Sequence, residues 1–499
     1  MNANQADSLR ALVAHALHGP GLADDGQRAL ATRVVLDTLA VGVAGASAPF
    51  AAPLRQLLPA WGQGGPATLL GAAAGHWPAP SAAFVNAYQI HGSEYDYVHE
   101  PAVVHPMAAT LAAALAAWQA RSATEPRWRL GGRAWLDLVS RAVDVAIAVG
   151  LSARQGLRFF RPATAGAFGA MAAVCQIRGH DEATASSAFG HLYSQLCGTM
   201  QAHAEGTAVL PMQIGFNARN ALVAADLAEA GISAPAAVFE GTFGYLNLYE
   251  AQGDLGPSLA ELAVRRRIVE LSCKPFPTGR ATHGGIDGIL RLRAAHAIEP
   301  ARVREVQVWG PPLIARLVGR RPYDDFPAHY ARLCMAYVGA VALRRGHVDL
   351  ADFVPEALRD PDTLVLAARI GVCDDGNPDP NALLPQRVEI TLDDGSTRSC
   401  ALDAALGSRE RPLADDAHWA KLRHCLDFGG LSAVRQQAFI AAGGVLGDLA
   451  DVAALLDPVL APLFDPATGP ATGQASGSAN ESVTGSVPGD QARPPNAQP

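Results

Sequence analysis

From residue 25 to about 265, apolar positions recur at three- and four-residue spacing, the period of helices with one buried face. The first run, QRALATRVVLDTLAVGVAG, begins behind Asp24 and Asp25, either of which can cap it, and ends at Gly45. Alanine-rich runs of the same period follow at 107–120, 134–155, 163–178, 182–199 and 215–231. Small residues inside them, such as Gly166, Gly169 and Ala170, let helices approach closely, which predicts a tightly packed helical body rather than a coiled coil. Near residue 265 the texture changes. VREVQVWG (303–310) and RVEITLDDGSTRSCAL (387–402) alternate β-branched and polar residues, and the second carries an Asp-Asp-Gly hairpin signal. Helical patterns at 281–298 and 328–346 lie between them, and 413–463 is helical again. The expected fold is mainly α. A large all-helical domain is built from both chain ends (1–265 and 403–465), with a smaller α+β domain (266–402) inserted. Residues 466–499 are rich in Gly, Ser, Thr, Pro and Asn without apolar periodicity and are expected to form a disordered tail.

Composition removes several function classes. The 39 basic residues against 47 acidic ones give a net charge of −8, with no Lys/Arg block. Nucleic acid and anionic membranes, which need concentrated positive charge, are therefore not expected partners. An anionic substrate must be held by a few local cations instead. The seven cysteines are scattered, with no CxxC pair, and read as reduced thiols of a cytoplasmic protein. No secretory signal or uninterrupted apolar span is visible, so a membrane location is not expected.

The candidate chemistry is concentrated in AAFVNAYQIHGSEYDYVHEPAVVHP (82–106), which holds three His, one Asp, two Glu and three Tyr in a chain with only 17% charged residues. Helical runs on both sides predict a loop held between packed helices, a usual place for catalytic groups. Asp96, His99 and His105 are the sharpest candidates. His105 precedes Pro106 at a helix start, where the helix dipole favours a neutral, basic imidazole. The competing reading is a cluster of helix-capping hydrogen bonds. A zinc site fits poorly, because His91, His99 and His105 are spaced by 8 and 6.

Two further clusters carry cations. In GLRFFRPATAGAFGA (156–170), Arg161 opens a helix, where the dipole prefers an anion; either a carboxylate ligand or a salt bridge would explain it. In CKPFPTGRATHGGIDG (273–288), Lys274, Arg280 and His283 could form a polycarboxylate clamp, or a plain surface loop. Gln213 in EGTAVLPMQIG is a weaker candidate for a pocket wall, as are Glu205 and Tyr245. No nucleotide loop, GxGxxG or GxSxG motif is present.

The order of these blocks resembles the MmgE/PrpD family, whose members include 2-methylcitrate dehydratase, cis-aconitate decarboxylase and iminodisuccinate epimerase. The likeness runs from about residue 8 to 463. Its landmarks are LDTLAVGVAGA, the 82–106 segment, RPATAGAFGAMAA, GTAVLPMQIG, VFEGTFG, KPFPTGRATHGGIDG and AHYARLCMAYVGAVALRRG. The resemblance implies a helical domain and a smaller α+β domain with the active site between them, a homodimer, and no obligatory metal or organic cofactor. It places Asp96 and His105 on the family's active-site Asp and His, and Lys274 on its lysine. This chain departs from the pattern at Tyr97-Val98 (usually Asp-Thr), at Arg161 (usually His), at Leu210 and Gln213 (usually a Lys-x-x-His pair), and at Gly279 (often Cys or His). The expected activity is a cofactor-independent, dehydratase-like lyase acting on a small di- or tricarboxylate by α-proton abstraction. Asp96, His105 and Lys274 would be catalytic, with His99, Arg161, Gln213, Arg280 and His283 binding substrate. Epimerisation of a dicarboxylate, or carboxylate binding without catalysis, are the alternatives.

Overall fold

The structure is a computed structural model, and it describes residues 7–71 and 75–460. The tail expected at 466–499 lies outside the described residues.

The larger body is helical, and its central helices are α1 (Asp25–Ala44), α2 (Ala79–His91), α3 (Pro106–Thr124), α4 (Gly132–Leu151), α5 (Arg161–Arg178) and α6 (Val209–Glu229). The Asp24 side chain accepts from the Gln27 N–H and caps α1, as its position predicts. At the other end, Gly45 lies so close to α2 that an added Cβ would sit 1.8 Å from the Gln89 carbonyl oxygen. α1 is long and apolar enough to cross a membrane, yet Val34 through Ala44 are all buried inside the protein, as in the core helix of a folded domain. Short side chains along α3, α4 and α5 bring these helices together around Ala109, Ala142 and Gly169.

Residues 276–402 have a core of their own. Helices α7 (His283–His296) and α8 (Met335–Arg345) cover one mixed sheet of β1 (Val303–Gly310), β2 (Ile370–Asp374), β3 (Gln386–Leu392) and β4 (Thr397–Leu402), in the order β2-β1-β3-β4. β2 runs parallel to β1, while β3 is antiparallel to both β1 and β4. The β3–β4 hairpin turns at the Asp-Asp-Gly signal, with Gly395 at φ +83°. α7 seats against β3 because Gly288 has no side chain; a Cβ there would come within 2.5 Å of Val388 Cγ2. The helical pattern at 328–346 is interrupted: one turn, Ala328–Ala331, precedes α8, and Arg332 at the break donates to the backbone oxygens of Ser93 and Pro277.

The last long helix, α9 (Asp415–Phe428), packs on α1, and Leu422, Cys425 and Leu426 join the core of the helical body. The chain therefore returns to the first core after the α+β segment. All seven cysteines are free thiols.

Candidate active site

Residues 92–105 leave α2 and enter α3, and backbone pairing pins them on both sides. Val98 and Ser272 exchange hydrogen bonds (3.2 and 2.8 Å), as do His99 and Val104 (2.9 and 3.3 Å). Ser272 Oγ also donates to Glu100 Oε2 at 2.7 Å. This pairing sets the 271–274 segment alongside the loop, so that Lys274 reaches the loop's acidic groups. Glu94 and Val103 lie in the left-handed region, at φ +50° and +51°. For β-branched Val103 that conformation is strained, and strain of this kind is held where surrounding structure and function demand it.

The loop brings two histidines to one carboxylate. Asp96, fully buried, has both carboxylate oxygens 3.1 Å from His91 Nδ1, and its Oδ1 lies 3.2 Å from His105 Nδ1. The two rings meet edge to face with centroids 4.8 Å apart. Glu94 Oε1 stands 3.4 Å from His91 Nε2. Lys274, fully buried, donates to Glu94 Oε2 at 2.9 Å and to the Glu94 carbonyl at 3.0 Å, and stands 4.0 Å from Asp96.

These contacts separate the two imidazoles. Burial alone would lower the His91 pKa, but the Asp96 and Glu94 carboxylates outweigh it and raise it to about 9. His105 goes the other way: burial and the Lys274 ammonium lower its pKa, against the pull of Asp96. Burial opposes ionisation of Asp96 as well, yet His91 and His105 hold it far below the ordinary carboxylate range. At neutral pH the cluster holds a charged His91, an ionised Asp96 and a neutral His105. His105 lines the cavity beside them, its Nδ1 3.2 Å from Asp96 but off the line of a hydrogen bond.

That cavity, about 70 Å³, lies between the two cores. Its polar lining is His91, Glu94, His105, His203 and Arg280; its apolar lining includes Leu157, Phe160, Met200, Leu210, Leu317 and Leu333. Of the residues the sequence singles out, His105 and Arg280 reach the wall, with Asp96 and Lys274 immediately behind it. The structure does not bring the other four there. The expected carboxylate fork at Arg161 is instead a buried ion pair: Nε and Nη2 donate to Glu250 at 3.1 and 3.2 Å, and Nη1 donates to the Ala102 carbonyl. The Gln213 amide clamps the backbone of Thr199. His99 Nε2 faces Glu270 at 3.3 Å, and its Nδ1 accepts from the Ala102 N–H. His283 is fixed between Arg280 Nη1 and the Thr278 carbonyl, each 3.2 Å away, and burial with Arg280 pushes its pKa well down. The polycarboxylate clamp expected of Lys274, Arg280 and His283 is not assembled: Lys274 and Arg280 each have a carboxylate partner, and His283 is held by Arg280 and the Thr278 carbonyl.

The cavity is also lined by His91, which the sequence suggests only as a poor zinc ligand, and by Glu94 and His203, which it does not single out. His91 and Glu94 had a signal, since both lie in the 82–106 segment. His203, in a separate short helix, had none. Donor atoms of His91, Asp96 and His105 lie within 4.8 Å of one another, a spacing that could also hold a cation. The Lys274 ammonium 4.0 Å from Asp96 opposes a second positive charge there and favours proton sharing.

Comparison with known proteins identifies the family. Residues 21–258 match the MmgE/PrpD N-terminal domain, and residues 276–446 match the MmgE/PrpD C-terminal domain. The chain is 26% identical to mouse cis-aconitate decarboxylase over 407 residues, covering 77% of this chain and 79% of the relative. It is likewise 26% identical to human cis-aconitate decarboxylase over 440 residues, covering 83% and 87%. With both domain models matched in order and the helical body and α+β segment in place, this chain belongs to the MmgE/PrpD family.

Proposed function

We propose that this protein is a lyase that acts on a small carboxylate by proton transfer at the carbon next to the carboxyl group, without a metal or organic cofactor. The observation that carries the reading is the meeting of two histidines on one buried aspartate, both rings lining the same cavity. His105 Nε2 takes the α-proton, and the electron pair left on carbon is spread into the carboxylate. When a β-hydroxyl leaves, it takes a proton from charged His91 and departs as water, and the carbon–carbon double bond closes. Asp96 is a positioning residue that holds His105 in the tautomer with Nε2 unprotonated. Lys274 keeps Glu94 ionised from behind.

The relatives named as cis-aconitate decarboxylases support a lyase that handles carboxylates. Loss of CO2 needs a proton delivered to carbon, which His91 can also supply, so the same pair of histidines serves either elimination. A homodimer, implied by the family resemblance, belongs to the same proposal and would sediment at twice the chain mass of 51.9 kDa.

Incubating the protein in D2O with a panel of hydroxy acids and unsaturated acids, followed by proton NMR, tests this reading. A new or vanishing olefin signal is expected. Deuterium entering the α-position with no change of skeleton would identify an epimerase instead. No change in any acid that binds would overturn the catalytic reading.

A further inference from the structure

His203 stands on the cavity wall but takes part in none of the steps above. It sits in the short helix Gln201–Glu205, buried, and lines the cavity together with His91, Glu94, His105 and Arg280. Arg320 holds it: Nη2 donates to the His203 carbonyl at 2.7 Å and lies 3.3 Å from His203 Nδ1. A guanidinium can only donate, so Nδ1 accepts and carries no hydrogen. The imidazole is therefore neutral, with its one ring hydrogen on Nε2. That nitrogen has no hydrogen-bond partner among the described residues.

The charge on Arg320 keeps the ring in this form. Arg320 packs on Tyr330, its guanidinium carbon 4.8 Å from the ring centroid, and its Nη1 is buried without a partner. Burial and Arg320, with Arg316 adding to them, take the His203 pKa down to about 4, while Glu94 opposes them. His91 and His105 differ in kind, since both stand against the Asp96 carboxylate. With its acceptor nitrogen filled by an arginine, His203 can offer the cavity a hydrogen-bond donor but not a base.

Resting on the lyase reading, we infer that His203 is a further catalytic residue: Arg320 fixes it as a neutral Nε2–H donor, and that N–H binds the substrate carboxylate oxygen on which charge gathers as the α-proton leaves. A fixed donor at that oxygen strengthens as the negative charge builds, and it keeps its own proton throughout. Arg320 is a positioning residue that acts through His203.

NMR of the full chain with 15N-labelled histidine reads the ring without any substrate, and the signal missing from His203→Phe or His203→Gln assigns it. Between about pH 5 and 8, wild-type His203 should stay neutral with its hydrogen on Nε2. In Arg320→Met it should titrate near the ordinary value of about 6.5 and lose its single tautomer. Deuterium entry at the substrate α-carbon reads the catalytic role. His203→Phe should lose about 10²–10³-fold in kcat with KM near wild type, and His203→Gln, which keeps an N–H donor, should regain at least about tenfold. Wild-type His203 titrating near 6.5, or carrying its hydrogen on Nδ1, would overturn the inference. So would exchange in His203→Phe within a few-fold of wild type. No exchange in wild type with malate, cis-aconitate or 3-hydroxybutanoate would sink the lyase reading instead. The donor then stands if one of these acids moves the His203 Nε2–H signal, and falls if none does.

Discussion

At the scale of residues, the account turns on His91 and His105 having opposite protonation. Activity should fall as pH drops through the lowered pKa of His105, below its usual 6.5, because the base is then protonated. It should fall again as pH rises through about 9, where His91 gives up its proton. A plot of kcat/KM against pH checks both limbs, and His91→Gln should remove the alkaline one. The same shift has a stability consequence. A histidine whose folded pKa is raised contributes stability that is complete below pH 6.5 and lost as pH rises to about 9. Thermal melts of wild type should decline across that window more steeply than those of His91→Gln. Asp96 and His105 were legible in the sequence because one 25-residue segment carries both, next to a proline-started helix. Arg161 was not legible: its carboxylate partner, Glu250, is 89 residues away, and no local pattern announces the pair.

At the scale of elements, the site depends on α9 holding three segments together. Lys421 Nζ donates to Asp37 Oδ2 on α1 at 2.8 Å and to the Tyr95 carbonyl at 3.0 Å, and lies 3.7 Å from Cys273 Sγ. Lys421→Ala would leave the buried Asp37 charge unpaired, costing about 3–5 kcal/mol in urea unfolding. Replacing both partners by apolar residues, Lys421→Met with Asp37→Leu, should recover most of that loss. On α5, a side chain at Gly169 would press on Thr110 Oγ1 at 2.7 Å and the Ala142 carbonyl at 2.9 Å. Gly169→Val should therefore cost at least about 1–3 kcal/mol by overpacking. The helical periodicity and the Asp-Asp-Gly hairpin were readable because each is a local signal. β2 was missed: ARIGVCDD is short and only partly buried, and it becomes a strand by pairing in parallel with β1, a partner more than sixty residues earlier. The break before α8 was missed for a similar reason, since the backbone oxygens of Ser93 and Pro277 that receive Arg332 are remote in sequence.

At the scale of the whole molecule, the fold builds two hydrophobic cores and puts the cavity lined by His91 and His105 at their seam. The helical body supplies His91 from the end of α2, and Asp96 and His105 from the segment that follows it. The segment leading into the α+β core supplies Lys274 and Arg280, registered by the Val98–Ser272 pairing. Neither core alone encloses the cavity, so blocks read one at a time locate the loop that lines it but not the carboxylates that take Lys274 and Arg280.

The central claim is that His105 moves the α-proton. The most direct test is the rate of solvent deuterium entry at the α-carbon of a bound carboxylic acid, compared between wild type and His105→Ala with binding measured in parallel. The account predicts a loss of at least about 10²-fold in exchange with affinity largely kept. Exchange surviving within a few-fold would contradict it and move the base to another group on the cavity wall.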